Sequence, residues 1–191
     1  MHSPLITALV FLLNAFFNLY ILLFLLRIIF RWMRVNIYHE PVFRFIIKLT
    51  DPPLQLLHPF IPMWRNIDLA AVLLMFLLKM LLIFLTQILL GKTIGMIGLF
   101  IFTFASILSL FLYTFIFSIF ISTILSWITP PNSYNPVMNL LYHLNAPLLR
   151  PIQRKVPPIE GVDLSPLVAI LGLMLINIII VGYLEQLAIS L

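Results

Sequence analysis

Long apolar runs, broken by two polar tracts rich in proline, organise this chain. A bilayer core about 30 Å thick needs about 20 apolar residues per helix, and four stretches qualify, at about 5–26, 69–90, 94–121 and 164–187. A polar connection of about forty residues, 27–68, separates the first two. A similar one, 122–163, separates the last two, and only the turn GKTI joins the middle pair.

The two long connections are copies of one another. Aligning Trp32 with Trp127 sets an offset of 95 (127 − 32), and without a gap it also pairs Pro41 with Pro136, Val42 with Val137, Leu49 with Leu144 and Pro52 with Pro147. The register continues through Leu54 with Leu149, Pro62 with Pro157, Asp68 with Asp163 and Leu69 with Leu164. Leucine matches come cheaply in such a chain; a Trp, three Pro and an Asp in one register do not. The fold expected is an all-α membrane protein of four transmembrane helices, built as two parallel tandem repeats, 1–92 and 93–191, each a helix, an amphipathic loop helix and a helix. Two spans per repeat put both long connections on one side of the membrane. Nine of the eleven Lys and Arg residues lie in or beside them, so the positive-inside rule predicts cytoplasmic loops and both termini outside.

Inside the second connection, NPVMNLLYHLNAP offers Asn135 as an N-cap and Pro136 at the first helical position. Val137, Leu140, Leu141 and Leu144 then follow at helical spacing, and EPVFRFIIKLTDP repeats the design from Pro41. Too short to span, these segments are predicted to lie at the inner leaflet, to stop at Pro52 and Pro147, and to give way to extended chain. Asp68 and Asp163 stand where the next apolar runs begin, as N-cap carboxylates for free N–H groups. Charge-dependent docking or ion binding is the sharper reading of this pair.

Composition narrows the function classes. The chain is 63% hydrophobic and 9% charged, with a mean hydropathy of +1.16, beyond any ordinary soluble domain. The net charge of +5 comes without dense basic clusters, and aromatic residues lie within the apolar runs, which points to bilayer anchoring and away from nucleic acid. The absence of cysteine excludes disulfides, thiolate metal sites and iron–sulfur clusters. His2, His39, His58 and His143 have no ligand spacing, so no metal or cofactor is expected. GKT at 91–93 lacks the upstream glycine of a phosphate loop, and no nucleophile has partners within a membrane segment. An enzyme is therefore not expected.

The second connection resembles the repeat of the YggT family of bacterial membrane proteins, called YlmG in some lineages. The shared pattern here is Trp127, Asn135, Pro136, Leu144, Pro147, Leu148, Leu149, Arg150, Pro151, Pro157, Pro158, Gly161, Asp163, Leu164, Ser165 and Pro166. The first copy is degenerate, keeping Trp32, Pro41, Thr50, Asp51, Pro52, Pro62 and Asp68 but carrying Ala70 and Ala71 where Ser165 and Pro166 stand. The resemblance implies a small inner-membrane protein without catalytic residues, linked to envelope and division-associated assembly, biogenesis of membrane complexes, osmotic tolerance and potassium uptake. Relatives with a single repeat imply that two halves come together, by fusion or by dimerisation.

One residue stands out within a span. Lys79 lies eleven positions past Asp68, about 16 Å into the bilayer at 1.5 Å per residue, where a charge is costly. Asn14 and Asn18 in the first helix bracket that depth. Together they form an intramembrane polar site whose simpler reading is a packing hydrogen bond and whose sharper one is an ion site or gate. Thr103, Ser106, Thr114, Ser118 and Ser122 form an arc read as small-residue packing over a pore lining. Glu185 and Lys92 are candidate partners at the opposite interface. Arg150, Arg154 and Lys155 read as contacts to anionic lipid.

Two functions compete on these grounds. A scaffold or assembly factor would dock unidentified membrane or division proteins through its cytoplasmic loops. A channel or transporter component in cation homeostasis would use Lys79 and the asparagines, and would need a homo-oligomer to enclose a path.

Overall fold

The computed structural model describes residues 3–32, 41–61, 66–128, 135–156 and 163–191. The expectations on His2, Arg34, His39, Pro62, Arg65, Pro157, Pro158 and Gly161 lie outside these residues, as do the side chains of Pro41 and Pro136. Among the described residues all regular structure is helical: α1 (Pro4–Trp32), α2 (Pro41–Leu57), α3 (Leu69–Leu89), α4 (Met96–Ile128), α5 (Pro136–Gln153), α6 (Ser165–Ile176), a π segment (Asn177–Val181) and α7 (Gly182–Ser190). Four stretches, Pro4–Trp32, Leu69–Leu89, Met96–Ile128 and Ser165–Ser190, are long and apolar enough to cross a membrane. The chain is a multi-pass membrane protein with the order span, loop helix, span, twice over.

Several boundaries differ from the sequence reading, each for a physical reason. Helix α1 continues past residue 26 to Trp32, because Arg27 and Arg31 fall on one face and are bonded to other elements, so their charge does not end the helix. Helices α2 and α5 run through Pro52 and Pro53 and through Pro147 and Pro151 to Leu57 and Gln153, where a stop was expected. An internal proline removes one i→i−4 bond. At Pro53 the freed carbonyl, that of Leu49, accepts the Tyr20 hydroxyl at 3.3 Å. Continuing the helix also keeps Leu54 in line with Phe43, Ile46 and Thr50 on the buried face. In α5, Leu144, Asn145 and Ala146 are buried, whereas Val137 is exposed.

The chain divides into two compact units, Met1–Leu108 with Tyr183–Leu191, and Ser109–Gly182. In the first, α1 packs on α2 and α3 through Ile21, Phe24, Leu25, Ile29 and Phe30. Phe30 meets Phe43 edge to face at 6.0 Å. Ala70 and Ala71, fully buried, let the start of α3 come close to its neighbours, as small residues do in membrane packing. Leu5, Phe11 and Phe16 in the N-terminal half of α1 stay exposed.

The short turn after α3 ends the helix with a Schellman motif. Gly91, at φ +60°, donates to the Ile88 carbonyl at 3.0 Å and Lys92 to Gln87 at 2.9 Å. Beyond it, a Cβ on Gly95 would lie 2.8 Å from the Leu191 carbonyl oxygen, and one on Gly98 would strike the Ala188 carbonyl oxygen. The start of α4 and the end of α7 thus meet backbone to backbone. Glu185 and Lys92 form no ion pair among the described contacts, contrary to expectation. The threonines and Ser122 of α4 turn their hydroxyls onto carbonyls of their own helix.

Candidate functional site

The densest polar cluster joins α1, α2 and α3 in the first repeat. Arg27, 4% exposed, projects from α1 and its Nη1 donates to Thr50 Oγ1 at 2.8 Å and to Asp51 Oδ1. Its Nη2 lies 3.6 Å from Asp68 Oδ2. Arg31, one turn further along the same face, donates to that oxygen at 3.3 Å, and His58 Nε2 sits 3.3 Å from both carboxylate oxygens. Asp68 itself is 1% exposed. Its Oδ1 also accepts from Ala71 N–H at 3.2 Å, so it caps α3 as the sequence suggested while anchoring two arginines. Two guanidinium groups face two carboxylates; Arg27 and Asp68 are buried while Arg31 and Asp51 are about a third exposed, and the hydrogen bonds make the burial of the inner pair tolerable.

The second repeat rebuilds this node without its arginines. At the offset of 95, Ser122 stands for Arg27, Ser126 for Arg31, Asn145 for Thr50, Ala146 for Asp51, Gln153 for His58 and Asp163 for Asp68. Two of the contacts have counterparts, Arg27 with Thr50 and His58 with Asp68. Asn145 Nδ2 donates to Ser122 Oγ at 3.1 Å, and Gln153 Nε2 donates to Asp163 Oδ2 at 2.9 Å. Asp163 accepts from Ser165 N–H at 2.9 Å, one residue earlier than Asp68 does. Pro166 occupies the position of Ala71 and has no N–H to give, so the helix begins at Ser165 and Asp163 stands one residue further out. Burial pushes the Asp163 carboxyl upward, but hydrogen bonds from Ser165 and Gln153 outweigh it and hold the group below its ordinary value.

Where the arginines would stand there is space. A cavity of about 380 Å³ is lined by Ser122, Ser126, Asn145, Gln153, Asp163 and Trp127, with Arg150 and Pro166 also on its wall. Asn145 is 1% exposed and its Oδ1 has no donor, an unmet acceptor that costs about 1–3 kcal/mol. The guanidinium of Arg150 lies 6.0 Å from the Tyr142 ring.

Other expected site residues fall at varied places. Asn135 caps α5, accepting from Val137 and Met138 N–H at 3.0 and 3.3 Å, with Pro136 opening the helix. Trp32 and Trp127 are exposed, and Arg150, Arg154 and Lys155 are exposed at the end of α5. Lys79 Nζ donates to Asn18 Oδ1 at 2.7 Å. Asn14 instead donates to the Val10 carbonyl of its own helix and stays outside that pair. The second repeat has its own inter-helix pair, Asn177 to Ser109 at 3.0 Å. At the same offset Asn18 and Lys79 would fall at 113 and 174; Ser109 comes four residues earlier and Asn177 three residues later, and Asn177 opens the π segment.

Sequence reasoning named Thr50 and Asp51 only as part of the family pattern and His58 only to set aside metal binding, and it missed Arg27, Arg31, Asn145 and Gln153 as site residues. Their identities change between the copies, so no repeated letter marks them. The signal available was the pair of arginines four residues apart at the end of a span, which few nearby carboxylates could neutralise.

Two comparisons now bear on this architecture. The family model described as CCB3/YggT matches twice, at residues 6–89 and 101–184. The chain belongs to the CCB3/YggT family. An uncharacterised protein of Pseudomonas aeruginosa is 38% identical over 178 residues, covering 92% of this chain and 89% of that one. Uncharacterised protein YggT of Escherichia coli K12 is 33% identical over 170 residues, 88% of this chain and 87% of its own. An uncharacterised protein of Haemophilus influenzae is 32% identical over 164 residues, 86% of each. No solved structure matches the chain. Each of the two family matches contains one polar node, so the unit repeated in CCB3/YggT includes span, loop helix and span together.

Proposed function

We propose that this protein is a non-enzymatic scaffold or assembly factor of the bacterial inner membrane, docking envelope, division or membrane-complex proteins through α2 and α5 on the cytoplasmic side. The observation that carries the reading is the pair of nodes. They tie each loop helix to the ends of its spans, through Arg27 and Asp68 for α2 and through Asn145 and Gln153 for α5. A loop helix held by polar contacts, buried at Arg27, Asp68 and Asn145, presents a fixed surface; α2 carries exposed Phe45, Leu49 and Leu56, and α5 carries exposed Val137 and Tyr142. Positive charge near the loops sets their side, and Arg150, Arg154 and Lys155 meet anionic headgroups there.

A second reading, a component of potassium homeostasis and osmotic tolerance, draws on Lys79 with Asn18 and on Asn177 with Ser109. In each pair the polar groups answer one another, which suits helix pairing better than conduction. Flux and docking separate the two. Trp127→Ala and Arg150→Gln should abolish in-cell function with potassium flux in proteoliposomes unchanged, while Lys79→Met should retain function. Flux that is present in wild type and lost in Lys79→Met would replace the scaffold with the channel.

A further inference from the structure

We infer that the cavity of the second repeat is a receptor for a guanidinium group, seated where Arg27 sits in the first repeat. The first node shows the chemistry the framework accepts, since Arg27 donates there to the residue at the Asn145 position and to the neighbouring carboxylate of Asp51, and approaches Asp68. In the second node Ser122 and Ser126 vacate that space, and what remains is rich in acceptors. Asn145 Oδ1 is buried and without a donor. Asp163 keeps a carboxylate at the place of Asp68, and its donors among the described residues, on Ser165 and Gln153, leave lone-pair capacity on an ionised group that accepts about four. A planar cation with five N–H donors meets an amide oxygen, serine hydroxyls and a carboxylate at once, whereas a bare metal ion finds one charged ligand. The volume of about 380 Å³ falls within the range of about 300–1,000 Å³ usual for small-ligand sites. Among the described residues the cation on the wall is Arg150, whose guanidinium lies 6.0 Å from the Tyr142 ring and forms no ion pair with Asp163.

The guanidinium can come from a small molecule or from an arginine of a second copy of this chain. The probe is butylguanidinium, titrated calorimetrically into the full chain in nanodiscs, with tetramethylammonium and inorganic phosphate as controls. Wild type binds butylguanidinium and neither control. Asp163→Asn and Asn145→Leu each weaken binding at least tenfold. Ser122→Arg with Ala146→Asp, which rebuilds the first node, abolishes binding and raises the thermal midpoint, and this gain in stability distinguishes a filled socket from a misfolded variant. If the same double variant also dissociates a dimer, the native guanidinium belongs to a second copy; an unchanged oligomeric state assigns it to a small molecule. Absence of butylguanidinium binding to wild type, binding undiminished in the double variant, or tighter binding of phosphate than of butylguanidinium overturns the inference.

Discussion

Replacing Arg27 with Met separates the two repeats energetically. The substitution keeps most of the apolar stem and removes five donors from a side chain 5% exposed. It leaves Thr50 and Asp51 without their arginine, and leaves Asp68, 1% exposed, held by Arg31, His58 and the Ala71 N–H. Breaking a buried pair by removing one partner costs about 3–5 kcal/mol. At about 2–4 °C per kcal/mol for a chain of this size, the thermal midpoint should fall by roughly 10 °C. The matched substitution in the second repeat, Ser122→Ala, removes the bond from Asn145 and the hydroxyl's bond to the Ile119 carbonyl, neutral hydrogen bonds worth about 0.5–1.5 kcal/mol each, and should lower the midpoint by roughly 5 °C. Thermal unfolding of both variants in one lipid composition checks the ratio. An Arg27→Met loss no larger than that of Ser122→Ala would refute the reading of the first node as the tie between α1, α2 and α3.

Three further outcomes follow from the same geometry. Gly98→Leu should separate α4 from α7 and cost several degrees of thermal midpoint, since even a Cβ meets the Ala188 carbonyl; Gly172→Leu, with open space around it, is the control that should change little. Because the Asp163 carboxyl is held below its ordinary value, its contribution is present above the unfolded-state value of about 3.9 and is lost as pH falls through the lower folded-state value. Asp163→Asn should therefore flatten the acid limb of stability against pH below about pH 4, and an unchanged limb would contradict the hydrogen bonding described. A double-mutant cycle with Lys79→Met and Asn18→Leu should give a coupling of about 0.6–2 kcal/mol, read from unfolding in detergent; zero coupling would show that their contact at 2.7 Å does not tie α1 to α3.

The spans and the duplication were legible because they rest on features that both copies retain. Trp32 and Trp127, Pro52 and Pro147, and Asp68 and Asp163 hold one register, and a run of apolar residues of bilayer length has few other fates. The N-cap role of Asp68 was legible for the same reason. Helix ends near proline were not: the cost of Pro53 is local, while the Tyr20 hydroxyl that takes up the Leu49 carbonyl is 29 residues from it in sequence. The polar nodes were hidden more deeply. Duplication preserved their positions while exchanging their residues, Arg27 for Ser122 and His58 for Gln153, so that comparing letters discarded the correspondence that the hydrogen bonds restore. Lys79 was conspicuous because a lone charge in an apolar run needs an explanation, yet its depth alone left Asn14 and Asn18 equally eligible. The two lie four residues apart on one face of α1, so the register of α1 against α3 decides between them, setting Asn18 level with Lys79.

The most direct test of the docking claim places a photo-crosslinking residue at Asn139, exposed on α5, in living cells and identifies the captured species by mass spectrometry. The account predicts one reproducible membrane or division protein, lost when Arg150 is neutralised. Capture of lipid or of this chain alone, with function intact, would contradict it.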